Sequence, residues 1–317
     1  GMSEDGKWQF WIDRGGTFTD VVARGADGHV RTAKLLSEDP ARAEDAAVAA
    51  IRQLSGVGEG LLPPCEVRMG TTVATNALLE RKGEPTVLAI TRGFADALRI
   101  GTQERPELFV RRIVLPEPLH DSVIEIDERC SASGEVLRPL DEDAAAAAFA
   151  GAAAQGYRSI AIVLMHGWRY PAHEERLADL ARAAGFTQVS VSHQVAPVIK
   201  LIGRGDTTLV DAYLSPVLRR YVDAFTAALG PQGQTLFMQS SGGLVEGARF
   251  QGKDAVLSGP AGGIVGMART AEASDAPRVI GFDMGGTSTD VSHYAGEFER
   301  DSETRVAGAR IRTPMLR

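Results

Sequence analysis

The chain is predicted to be an α/β protein, and three observations carry that prediction. Short apolar runs alternate with helix-length amphipathic segments along most of the 317 residues. Most of the apolar runs are followed by one of those segments, the pattern of strands covered by helices. A ten-residue string built around two glycines also occurs twice, once near each end of the sequence.

Taken in order, residues 8–12 (Trp-Gln-Phe-Trp-Ile) read as a strand, Gly15-Gly16 as a turn, and residues 18–23 as the returning strand of a hairpin with a polar tip. Further strands are predicted at 67–69, 87–90, 160–165, 188–191, 236–239 and 279–283, each a short apolar run. Helices are predicted at 41–54, 75–82, 141–155, 173–184, 208–229 and 261–272, where apolar residues recur at helical spacing. Gly203 to Thr207 reads as a turn ahead of one of these. Residues 106–120, rich in Pro and charge, read as an irregular excursion.

Composition removes several function classes. Hydrophobic residues make up 44% and charged residues 24%, which excludes a disordered, collagenous or coiled-coil chain. Thirty-four Lys and Arg stand against 41 Asp and Glu, a net charge of −7 with no block of one sign, so neither nucleic acid nor an anionic membrane is an expected partner. Cys65 and Cys130 are far apart and lack the spacing of a disulfide framework or a zinc site, and the six histidines show no ligand spacing and read as structural. The alanine-rich stretch 144–154 falls short of the roughly 18 apolar residues of a membrane span. With no basic-then-apolar start, the expected location is the cytoplasm. Gly1 ahead of Met2 reads as the scar of a removed tag, so residues 1–8 are set aside as scar and leader.

The repeated string holds the chemistry. Ile12-Asp13-Arg14-Gly15-Gly16-Thr17-Phe18-Thr19-Asp20-Val21 returns as Phe282-Asp283-Met284-Gly285-Gly286-Thr287-Ser288-Thr289-Asp290-Val291, identical at seven of ten positions. Two adjacent glycines let an oxyanion approach the backbone closely, and the threonines add hydroxyl donors. A carboxylate at the end of the incoming strand repels phosphate but can hold Mg²⁺, which bridges phosphate oxygens. A plain hairpin turn needs Gly-Gly but neither the carboxylates nor the threonines. Retention of all of them in both copies therefore favours a phosphate and metal loop.

Paired loops of this kind resemble the two phosphate loops of the actin, Hsp70 and sugar-kinase ATPase superfamily, in which each of two lobes contributes one loop to a nucleotide cleft. The segment from Leu257 to Gly266, with Ser258 near its start, is similar to the small-residue connecting helix of that superfamily. The resemblance narrows with Lys34 to Pro40, with Arg68-Met69-Gly70-Thr71-Thr72-Val73-Ala74-Thr75-Asn76 continuing to Gly83, and with Gly281 to Val291. Together with the first loop these strings resemble the hydantoinase A/5-oxoprolinase family from about Gln9 onward. Arg14 after Asp13 is more similar to its ATP-dependent 5-oxoprolinase branch than to the N-methylhydantoinase or acetone carboxylase branches, which stay open as alternatives. A non-catalytic actin-like binding or assembly module is the alternative from another class.

The resemblance implies an actin-like (ribonuclease H-like) ATPase lobe at 9–275 and the start of a second lobe at 276–317. It further implies a hydrolase that opens a cyclic amide, 5-oxo-L-proline, to L-glutamate with ATP and Mg²⁺, K⁺ being a further candidate ion. Expected partners are the small-molecule cyclic amide, the remainder of the enzyme (a C-terminal lobe and a hydantoinase B-like part) and further copies of the chain, which by itself is expected to be inactive. Asp13 and Asp283 take the catalytic and metal-organising roles. Gly15, Gly16, Thr17, Thr19, Asp20, Gly285, Gly286, Thr287, Thr289 and Asp290 take the phosphate-binding roles, with Gly15 and Gly285 expected to face one cleft. Thr71, Thr72, Asn76, Arg99, Arg105 and Ser258 are substrate-side candidates. Helix capping is the alternative for Thr71, Thr72 and Asn76, and surface ion pairing for the two arginines.

Overall fold

A computed structural model describes residues 6–98, 117–196 and 200–256, together with the backbone of two further strands. The strands are β1 (Trp8–Arg14), β2 (Phe18–Arg24), β3 (Val30–Leu36), β4 (Cys65–Thr71), β5 (Thr86–Thr91), β6 (Ser122–Ile126) and β7 (Arg129–Cys130). They continue with β8 (Val136–Arg138), β9 (Ser159–Val163), β10 (Gln188–Val191), β11 (Gly233–Met238), β12 (Leu244–Glu246), β13 (Glu303–Val306) and β14 (Ala309–Arg312). The helices are α1 (Ala46–Ser55), α2 (Val73–Leu79), α3 (Glu142–Ala154), α4 (Ala172–Ala184), α5 (Ser192–Val195), α6 (Leu201–Leu229) and α7 (Gly252–Ala255). The fold is mixed α/β with parallel sheet segments, as the alternation of strands and helices predicts.

The described residues fall into two compact units, residues 6–76 with 218–256 and residues 77–217. The first is built on a six-stranded sheet of order β12-β11-β4-β1-β2-β3. The strands β1, β2 and β3 form an antiparallel meander, while β4 runs parallel to both β1 and β11. Phe10, Ile12, Val21, Val67, Met69 and Ile51 of α1 are buried, and Phe237 stacks on Phe250 at 5.3 Å.

The second unit contains the all-parallel sheet β10-β9-β5-β6. Its strands β5 and β9 are buried at every position, hence the apolar runs 87–90 and 160–163 at their centres. Phe149 of α3 meets Phe186 edge-on at 6.2 Å, in a core shared with Ile160, Ile162 and Leu177. The Asp141 side chain accepts the Ala144 N–H at 3.1 Å and caps α3. Asp141→Ala is expected to cost about 1 kcal/mol in urea unfolding.

Two internal features of this unit are dictated by single residues. Pro216 lies inside α6 and cannot donate to the carbonyl of Ala212, which instead accepts the Ser159 hydroxyl, while Tyr213 O accepts the Glu84 N–H at 2.9 Å. Glu174, fully buried in the first turn of α4, accepts N–H groups from Leu164 at 2.8 Å and His193 at 2.9 Å, and the Ser192 hydroxyl as well. Arg204, equally buried, donates to Ser192 Oγ at 2.9 Å and to the Leu164 carbonyl.

The structure corrects several predicted elements. Residues 203–207, read as a turn, are helical, and α6 starts at Leu201. A Cβ on Gly205 would lie 2.6 Å from Leu98 Cδ1, so that glycine serves close packing rather than a bend. The helix expected from residue 41 begins at Ala46, where Asp45 accepts the Ala47 N–H as its cap. The strand β3 went unpredicted, because its exposed alternate positions give little apolar signal. The expected strand 279–283, the expected helix 261–272 and most of the excursion 106–120 lie outside the described residues.

Candidate functional site

The first predicted loop is the turn between β1 and β2, in register Asp13 opposite Asp20 and Arg14 opposite Thr19. Gly16 and Thr17 form its exposed tip. The Gly15 N–H donates to Phe18 O at 3.0 Å, so that amide closes the turn instead of facing outward. A Cβ at Gly15 would stand 2.9 Å from the same carbonyl. Gly15→Ala is therefore expected to open the turn at a cost of about 1–3 kcal/mol in thermal unfolding.

The residue that follows β3, which the sequence did not mark, holds the loop from one side. The Ser37 hydroxyl donates to Gly15 O at 2.6 Å and lies 2.9 Å from the Thr19 hydroxyl, while the Ser37 N–H donates to Thr17 O at 2.9 Å. Thr19 is fully buried, so its hydroxyl shapes the loop from beneath. Only the Lys34 to Pro40 string pointed to this strand, without singling out Ser37.

The end of β4 holds the loop from the other side. Thr72 donates to Arg14 O through both its N–H, at 3.0 Å, and its hydroxyl, at 3.2 Å. The Asn76 amide donates to Thr72 Oγ1 at 3.0 Å, and a Cβ on Gly16 would meet Asn76 Nδ2 at 3.2 Å. Two substrate-side candidates, Thr72 and Asn76, thus stand beside the glycine turn. Thr71 is buried and its hydroxyl accepts the Val73 N–H at 3.2 Å, which is the capping alternative.

The electrostatics of the loop fit a cation. Burial first, and then the carboxylate of Asp20, push the Asp13 carboxyl well above its ordinary range. Asp20 is itself buried, with Lys34 Nζ 3.7 Å away. Two opposed carboxylates at a backbone tip give a divalent ion its preferred oxygen ligands, and such an ion would relieve their repulsion.

Arg14 does not reach into the tip. Its guanidinium lies 2.8 Å from Asp45 and 5.0 Å over the Tyr221 ring, on the wall of a cavity of about 420 Å³. The Tyr221 hydroxyl donates to Asp45 at 2.9 Å, and burial followed by Asp45 raises its pKa well above the ordinary value, keeping it a neutral donor. Asp45 thus joins α1, Arg14 and Tyr221, a role hidden in sequence because its partners are 31 and 176 residues away. Asp283, Gly285, Gly286, Thr287, Thr289, Asp290, Ser258, Arg99 and Arg105 lie outside the described residues, and with them the expected facing of Gly15 and Gly285.

Comparison with known proteins places these observations in a wider set. Residues 9–185 match a family model described as the hydantoinase/oxoprolinase N-terminal region, and residues 204–317 match one described as hydantoinase/oxoprolinase. The chain is 44% identical to 5-oxoprolinase 1 of Arabidopsis thaliana over 98% of its own length and 27% of that protein's. It is 40% identical to 5-oxoprolinase of Saccharomyces cerevisiae, over 99% of this chain and 28% of the relative. Among solved structures, the ATP-dependent caprolactamase from Pseudomonas jessenii superposes with a TM-score of 0.73 at 30% identity, covering 98% of this chain and 47% of that one. The chain therefore spans little more than a quarter of the length of the 5-oxoprolinases it matches. No helix among the described residues is long and apolar enough to cross a membrane.

Proposed function

The chain belongs to the hydantoinase/oxoprolinase family, and we propose that it supplies the first phosphate loop of an ATP-dependent 5-oxoprolinase. The observation that carries this reading is Asp13 set opposite Asp20 beneath an exposed Gly16-Thr17 tip, with Asn76 beside Gly16. Similarity to named 5-oxoprolinases over nearly the whole chain supports the choice of substrate.

The loop residues fit ATP and Mg²⁺. Asp13, with Asp20 behind it, would hold the metal, and Gly16 and Thr17 would approach the phosphates. When bound, ATP with its metal supplies a phosphoryl group to the lactam carbonyl oxygen, which makes an otherwise resonance-stabilised amide open to water. The protein's contribution is to position the reactants and neutralise charge. Ser37 and Thr72 orient the loop backbone, and Asn76 offers an amide donor at its mouth. The reading extends to an actin-like lobe at 9–275 and a second lobe starting at 276, whose Asp283 to Asp290 loop would serve the same nucleotide. The meander β1-β2-β3 continuing into parallel β4 supports the actin-like assignment. A hydantoinase B-like part would complete the enzyme, and K⁺ is a further ion to test.

The test is ADP release by the full-length protein that carries this chain, with 5-oxo-L-proline, hydantoin and caprolactam compared at equal concentration. Release stimulated by 5-oxoproline above the other two is expected. Stimulation by hydantoin or caprolactam alone would assign the loop to another cyclic amide.

A further inference from the structure

We propose that Glu128, Cys130 and His173 form a Zn²⁺ site in the second unit, with Glu128 Oε2, Cys130 Sγ and His173 Nδ1 as its ligands. The three ligand atoms lie within 4.8 Å of one another. The imidazole nitrogen is 2.8 Å from the carboxylate oxygen and 3.9 Å from the sulfur. Tetrahedral zinc, with Zn–S about 2.3 Å and Zn–N and Zn–O about 2.0–2.2 Å, places such ligand pairs about 3.4–3.6 Å apart. A small opening of the glutamate–histidine pair, with the Cys130 sulfur closing toward both, would seat the ion.

Ligand chemistry selects the metal. A thiolate with an imidazole suits Zn²⁺ and argues against Mg²⁺ or Ca²⁺, which require oxygen ligands. Carboxylate and thiolate together bring two negative charges against the two positive charges of the ion, so the buried cluster carries no net charge. Glu128 and Cys130 are buried, whereas the His173 side chain keeps 18% of its surface, which leaves the ion a way in. Binding releases the thiol proton to solvent.

The surroundings hold the ligands in place, as outer partners do around bound metals. The Thr91 hydroxyl donates to Glu128 Oε1 at 2.5 Å, leaving Oε2 to the ion, and accepts the Met165 N–H at 2.9 Å. His166 Nδ1 lies 3.0 Å from the Cys130 carbonyl. The ligands come from the β6–β7 connection, from β7 and from the first turn of α4, so the ion would tie the β7–β8 hairpin to that helix. This inference is independent of the phosphate loop and of the substrate. Sequence spacing hid it, since Cys130 and His173 are 43 residues apart.

The test uses Co²⁺ as a spectroscopic substitute for Zn²⁺ on the purified chain, with Zn²⁺ content measured after gel filtration. One Zn²⁺ per chain is expected, together with a sulfur-to-cobalt charge-transfer absorption that Zn²⁺ displaces. The chain has two cysteines, so persistence of the absorption in Cys65→Ser assigns it to Cys130 without touching the site. His173→Gln should abolish it, and Thr91→Val should weaken Zn²⁺ binding by about 10-fold. Absence of the absorption in the parent protein, or its loss in a folded Cys65→Ser variant, overturns the proposal and leaves Glu128 and His173 as a hydrogen-bonded pair. The parent and Cys65→Ser titrations decide the matter even where a ligand variant does not fold.

Discussion

Replacing Asp13 by Asn in the full-length protein that carries this chain is expected to lower ATP hydrolysis by about 10²–10³-fold, the scale of losing one preorganised charge-stabilising group. The same substitution should stabilise the chain when no cation is present, because the two outcomes share one cause. Asp13 is held above its ordinary pKa by burial and by Asp20. A carboxyl raised in the folded state makes stability fall as pH rises from the ordinary carboxylate value through the folded pKa, and Asn removes that loss. Asp13→Asn should therefore melt higher than the parent at neutral pH, with a flatter pH profile. Added Mg²⁺ and ATP should raise the melting temperature of the parent more than that of the variant. A variant that kept near-parental turnover would remove Asp13 from the metal role.

The second large effect is expected at Glu174, the neighbour in sequence of the proposed Zn²⁺ ligand His173. Glu174→Ala leaves four donors, from Leu164, Ser192 and both the backbone and the ring of His193, facing a void, and deprives buried Arg204 of its compensating charge. A loss of about 3–5 kcal/mol in chemical denaturation is expected, the scale of breaking a buried ion pair. Arg204→Met alone should cost a similar amount. The double variant should cost clearly less than the two losses added, since the partners share one network. Strict additivity would show that Glu174 and Arg204 act independently.

The pattern of what could be read in advance follows from the range of the interactions. The β1–β2 hairpin and the ends of α3 were legible because a Gly-Gly turn and an aspartate cap act over a few residues. The parallel strands β5 and β9 were legible because burial on both faces makes their central residues, 87–90 and 160–163, apolar. Strand β3 buries little and so left little apolar trace. The start of α6 was hidden because a glycine needed for contact with Leu98 looks the same as a glycine needed for a turn. At the candidate site the repeat pointed to Asp13 and the glycines. Ser37, Asp45 and Tyr221 are single polar residues whose meaning depends on partners 18 to 176 positions away. Arg14 drew notice beside the loop, yet it faces Asp45 and Tyr221.

Ser37 bears on how quickly the glycine tip can work. Three hydrogen bonds from one residue already hold Gly15, Thr17 and Thr19 in place. On the proposed function, an incoming phosphate would meet a mould that has set, so little conformational entropy would be lost on docking. Occupancy can turn over without refolding the tip, and the amides around it should resist deuterium exchange as well in the empty state as in the filled one. Ser37→Ala would remove the hydroxyl contacts to Gly15 O and Thr19 while keeping the backbone bond to Thr17 O, and should make exchange at Gly15 depend on whether the tip is occupied.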